Sequence, residues 1–364
     1  MDETSTMPER VHLVGSIGLD SVDEVFRTAG RLLGRRLRRI PDGEPGGRRL
    51  WISWQYPLLR ANPFLMDDPA PTRDAVGCPT LCLGDGVRPD DVRFGELGYA
   101  REARASYQDF LAARRRGDIP RKVRFQVCLP TPLAVISTWC SDKDMFAIER
   151  AYEKAMLREV ETICAAIPHR DLCIQWDVCN EMIIWDGRWT LWKPPFPEAD
   201  IEREILSRMK RLGDAIPADV ELGIHLCYGD WKATHFVQPQ DAGKMVSLAN
   251  GIAHSISRPI TYVHMPVPID RTDDAFFAPL ADLKLSPETE LYLGVVHADG
   301  AENVARRVAA ARKYVSDFGI ATECGMARCR TPEFVMSLLA IHAESSREPK
   351  PAARKRAVGA RASQ

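Results

Sequence analysis

The stretch MFAIERAYEKAMLREVETICAAI (145–167), LCIQWD (172–177), ADIEREILSRMKRLGDAI (199–216) and ELGIHLC (221–227) decides the reading of the fold. Apolar residues recur every three and four positions in the first and third runs, the signature of amphipathic helices. The second and fourth are short, apolar and β-rich, as buried strands are. Working outward, the same alternation recurs. Strand-like runs are VHLVGS (11–16), RLRRIPDG (36–43), KVRFQVC (122–128), ITYVHM (260–265), LYLGVVH (291–297) and IATEC (320–324). Helical patterns follow at SVDEVFRTAGRLLG (21–34), GAENVARRVAAARKYVSDFG (300–319) and TPEFVMSLLAIHAE (331–344). Eight strands separated by helices predict an α/β protein, a single (β/α)8 TIM barrel spanning 10–345. The Pro-, Gly- and Asp-rich 61–120 stretch is expected as an insertion between strands two and three. A doubly wound sheet is the rival fold, but VGSIG (14–18) lacks the glycine spacing of a dinucleotide turn.

Composition narrows the function classes. The chain has 364 residues, 45% hydrophobic and 27% charged, with 49 Lys+Arg against 50 Asp+Glu. That balance argues against a nucleic-acid binder. No apolar run reaches the roughly 18 residues of a membrane span, and MDETSTMPER (1–10) is unlike a secretory leader. A soluble, cytoplasmic protein is expected, its ten cysteines free thiols or metal ligands rather than a disulfide framework. Residues 1–9 and the basic 346–364 tail have too little to bury and are expected to be disordered.

Residues able to do chemistry fall at the C-terminal ends of the predicted strands, the face where such barrels place their sites. These are Ser16, Asp42 and Glu44, Thr131, Asp177, His225 and Cys227, His264, His297, and Cys324. His225 and Cys227 are two apart on a strand, so both side chains point the same way. With Cys324 they offer the mixed His/Cys donors that zinc takes, a catalytic zinc keeping one position open. Buried cysteine is also a common core residue, and Cys164, Cys173 and Cys179 are read as packing. Glu44 and Asp177 can hold a substrate ammonium or act as acid and base, alongside His297 as a proton carrier. The alternative for Asp42 and Glu44 is helix capping. Trp51, Trp54, Trp139, Trp176, Trp185, Trp189 and Trp192 can stack on a planar ligand or simply pack.

With these residues assembled, the chain resembles the cobalamin-independent methionine synthase family, specifically its C-terminal catalytic barrel. VGSIG (14–18), GEPGGRRLWI (43–52), LPTPLAVIST (129–138), IQWD (174–177), HLCYGD (225–230) and ECGM (323–326) are similar to that family's motifs in order. The resemblance implies zinc held by His225, Cys227 and Cys324. It also implies an acceptor amino acid contacted by Ser16, Glu44 and Asp177, with Thr131 and Trp139 nearby, and methyl-folate as a co-substrate. Departures cluster around acceptor and metal. Val178-Cys179 replaces the family's Glu-Pro, His264 stands where a zinc-ligand glutamate is expected, and His297 replaces the Asp of Gly-Val-x-Asp. His264 is expected either to complete a Cys2His2 zinc set or to bond a neighbouring carboxylate or tryptophan. The pattern implies zinc-dependent transfer of a methyl or other small alkyl group to a small thiol, with an acceptor or donor other than methionine synthase's. A carbon–sulfur lyase or decarboxylase on the same barrel, and a non-catalytic folate- or metal-binding relative, are the alternatives.

Overall fold

The computed structural model describes residues 7–71, 77–188, 196–230 and 234–348. In chain order its strands are β1 (Arg39–Pro41), β2 (Leu65–Asp67), β3 (Leu81–Leu83), β4 (Arg124–Pro130), β5 (Leu172–Val178), β6 (Glu221–Leu226), β7 (Tyr262–Pro266), β8 (Glu290–Val296) and β9 (Gly319–Thr322). The helices are α1 (Val22–Leu33), α2 (Tyr56–Arg60), α3 (Tyr99–Arg116), α4 (Pro132–Trp139), α5 (Met145–Ala166), α6 (Asn180–Asp186), α7 (Ile201–Asp214), α8 (Gly243–Ser255), α9 (Asp274–Phe277), α10 (Ala301–Ala311) and α11 (Pro332–Glu344). Seven strands form one curled parallel sheet in the order β1-β4-β5-β6-β7-β8-β9. Every residue of β5 is buried, as expected where both faces of a parallel sheet are covered. This is the α/β architecture expected, with a TIM-barrel-like sheet.

The first expected strand departs from expectation. Val11 makes single parallel bridges to Leu37, just before β1, and to Ile320 in β9. No continuous ladder follows, but the run meets the same two flanks again further on, where Ile17 makes a parallel bridge to Met326. Ile17 N–H donates to Gly43 O at 2.8 Å and Ser16 O accepts from Met326 N. The 61–120 insertion does lie between β1 and β4, and it carries structure of its own. It holds the antiparallel β2–β3 pair and the 18-residue α3, which lies between Gly98 and Gly117, both at positive φ.

The N-terminal end of the sheet is closed by charge pairs. Arg39, 4% exposed, donates to Glu221 and, at 2.7 Å, to Glu290; Arg124 reaches Glu221 at 2.9 Å. Tyr262 and Tyr292 lie across the interior because Gly223 and Gly319 leave room, a Cβ there meeting the rings at 2.0 and 2.4 Å. No helix among the described residues is long and apolar enough to cross a membrane.

Candidate metal centre and acceptor pocket

Strand register sets the site. Pro130, Asp177, His225 and His264 are register partners across β4, β5, β6 and β7, so one row of residues crosses the C-terminal rim. Cys227 follows β6, its N–H donating to Val178 O at 3.1 Å, and Cys324 follows β9.

His225, Cys227 and Cys324 meet there, their ligand atoms all within 4.8 Å of one another. The two sulfurs stand 3.6 Å apart as free thiols. Two Zn–S bonds of about 2.3 Å at a tetrahedral angle would hold the sulfurs roughly 3.8 Å apart, close to that spacing. His225 Nε2 is buried with no hydrogen-bond partner, while its Nδ1 lies 2.7 Å from His264 Nδ1. Burial holds the His225 pKa well below its ordinary value, so the ring is neutral and can ligate. Donor set and orphaned nitrogen both fit a zinc ion. Gly229 N–H donates to Cys227 Sγ at 3.3 Å. Gly229 has φ +84 and a Cβ there would meet Phe236 at 2.1 Å, so glycine is required for this turn.

His264 lies outside the three-residue cluster. It is fully buried behind His225 and pushed down to about 3 by burial, a neutral ring paired with its neighbour. Its partner is an imidazole, not the carboxylate or tryptophan considered as the alternative to ligation.

The cluster opens into a solvent-connected pocket of about 330 Å³ whose lining includes Ser16, Glu44, Trp51, Trp139 and Asp177. Glu44 sits at φ 52 in the 41–47 turn. Asp42 builds that turn, its Oδ1 accepting Glu44 N–H at 2.9 Å while Ser106 and Arg48 hold its Oδ2. Asp42 is thus a turn brace. Burial, then Asp177 and Asp42, push the Glu44 carboxyl up to about 8. Burial likewise raises Asp177 to about 7 against hydrogen bonds from Gln175 (2.8 Å) and Trp51 (3.2 Å). Two carboxyls in one pocket, neither fully paired with a cation, suit a cationic ligand.

The remaining candidates divide. Thr131 is fully buried and caps α4, its Oγ1 accepting Ala134 N–H at 3.1 Å, and it does not line this pocket. His297 faces a neighbouring cavity, which shares Cys324 and Gly325 with the first. There its Nε2–H donates to Val267 O at 2.8 Å and its Nδ1 lies 3.6 Å from Glu323. Trp54 packs edge-on against Tyr99, Trp176 is core, and Trp185 packs against the core. Trp189 and Trp192 lie outside the described residues. Cys164 and Cys173 are buried packing, whereas Cys179 lines the pocket beside the cluster.

Gln175, Arg328 and Asp230 also reach this rim and did not stand out in the sequence. Gln175 had a signal, since it precedes Asp177 by two on one strand and so shares its direction. Arg328, four residues past Cys324, had none; its Nη2 donates to Cys324 Sγ at 3.4 Å.

No family model matches the chain. No curated protein matches it either. Solved structures do resemble it in fold. A B12-independent methionine synthase from Shewanella sp. W3-18-1 in complex with selenomethionine superposes with TM-score 0.59 at 14% identity, covering 93% of this chain and 97% of that one. A putative vitamin-B12 independent methionine synthase from Listeria monocytogenes gives 0.58 at 12% identity, over 93% and 97%. A methyltransferase from Methanosarcina mazei gives 0.50 at 12%, over 93% and 94%. At these identities the likeness is one of fold.

Proposed function

We propose that this protein is a zinc-dependent transferase that moves a methyl or other small alkyl group onto a small thiol acceptor. One observation carries the reading. Two thiols 3.6 Å apart and an orphaned imidazole nitrogen converge at the wall of a pocket that also holds two carboxyls. The fold-level likeness to proteins described as methionine synthases and a methyltransferase supports the same reading.

His225, Cys227 and Cys324 would hold the zinc, with His264 orienting the His225 ring through its Nδ1. When bound, zinc supplies a Lewis acid that keeps an acceptor thiol ionised near neutral pH. Glu44 and Asp177 bind the acceptor's cationic head, Gln175 and Trp51 fixing the Asp177 carboxylate by the bonds above. Ser16, whose Oγ lies where a Gly325 Cβ would stand, offers a further polar contact. Trp51 and Trp139 narrow the pocket, so that the acceptor sulfur and the alkyl carbon meet in a restricted orientation.

The test is a screen of the zinc-loaded protein with thiol acceptors against methyl-folate and small alkyl donors, read by mass spectrometry. An S-alkylated product formed only by the loaded protein supports the reading. Thiol release without any donor would instead support a carbon–sulfur lyase, for which the proton-holding Glu44 and Asp177 give a rationale.

A further inference from the structure

The two sulfurs of the cluster are not equivalent. Cys227 is 4% exposed, and its sulfur accepts a neutral backbone N–H from Gly229 at 3.3 Å. Cys324 is partly exposed and lines both the acceptor pocket and the neighbouring cavity. Its sulfur accepts instead from a cation, Arg328 Nη2 at 3.4 Å. Arg328 Nε has no hydrogen-bond partner and stands 3.6 Å from Asp230 Oδ2. Asp230 is itself occupied by Arg330 at 2.7 Å, which also donates to Arg328 O at 2.9 Å. That bracing holds the Arg328 guanidinium against the more accessible sulfur, with its neighbouring carboxylate, Asp230, shared with Arg330.

A protein that handles alkyl donors beside its own thiolates faces a competing reaction. A ligand sulfur can use its lone pair to form an S–C bond while the carbon's bond to its leaving group breaks and that pair departs. The chain would then carry the alkyl group and lose a donor. A charge-assisted hydrogen bond draws electron density from a thiolate and lowers its nucleophilicity. We infer that Arg328 is a selectivity residue, which protects Cys324 from self-alkylation so that the alkyl group goes to the acceptor. The inference rests on the metal reading above.

The test compares zinc-loaded wild type, Arg328→Met and Arg328→Lys with iodoacetamide as the alkylating probe, following Cys324 and Cys227 separately by peptide mass spectrometry. Cys324 should alkylate roughly three- to tenfold faster in Arg328→Met, with Cys227 unchanged and Arg328→Lys intermediate. In cobalt-substituted protein the sulfur-to-cobalt charge-transfer band should move to lower energy in Arg328→Met. Unchanged Cys324 rates, or both cysteines rising together as they would on general loosening, overturn the inference while leaving the metal site standing. Wild type that retains no zinc with both cysteines intact overturns the metal reading and this inference with it.

Discussion

The two ends of the parallel sheet handle buried charge in opposite ways. At the N-terminal end, Arg39 is matched by Glu221 and Glu290, with Arg124 and Tyr292 completing the set. At the C-terminal rim, Glu44 and Asp177 are held near neutrality by burial, and His225 Nε2 has no partner. The contrast teaches where stability and function separate. The paired end is a structural plug, whereas the rim, on the function proposed, is completed by ligands.

Breaking the plug should have the largest effect. Arg39→Met takes the buried guanidinium from both carboxylates, leaving Glu221 to Arg124 and Glu290 to Tyr292, and should cost about 3–5 kcal/mol in urea unfolding. Asp177→Asn at the rim should change stability by less than about 1 kcal/mol, because that carboxyl already resists ionisation. Equal losses at both ends would erase the distinction.

Next in size is ligand binding at the rim. Glu44→Gln and Asp177→Asn should each weaken an amine-bearing thiol by roughly 1.5–3 kcal/mol in calorimetry without altering zinc content. Unchanged affinity in both variants would return the two carboxyls to a structural role.

A further contrast is one of pH. Glu44 in the folded chain titrates near 8, above its ordinary value, so the folded state binds more protons across that window. Stability should therefore fall as pH rises from the ordinary carboxylate range towards 8, by at most about 1.4 kcal/mol per pH unit for each proton involved. Over the same range, affinity for a cationic amine should rise as Glu44 ionises. Denaturation midpoints at several pH values check the first trend, and Glu44→Gln should remove one proton's share of it, Asp177, also raised by burial, keeping its own.

Much of this was legible in the sequence. The row of Asp177, His225 and His264 followed from reading β5, β6 and β7 as neighbouring parallel strands with chemistry at their ends. The convergence of Cys324 on Cys227 needed the sheet to curl, which the β/α alternation implied. Helix α3 was missed because its buried face is largely small or aromatic residues (Ala100, Ala103, Tyr107, Ala113) among five arginines, so its apolar stripe is faint. Thr131 carried a helix-start signal, Thr before Pro, that its cap role explains. The direction of the His264 ring was not legible, because period-two alternation gives a side and not a partner. Arg328 was equally hidden, since the 324–330 loop follows no periodicity.

The most direct test of the central claim is zinc content with metal-edge absorption on wild type, Cys227→Ser and Cys324→Ser. The account predicts one zinc per wild-type chain with two sulfur donors and at least one nitrogen donor. Each serine variant should stay folded and lose most of its metal. Full zinc occupancy in both variants, or a wild-type spectrum without sulfur donors, would contradict it.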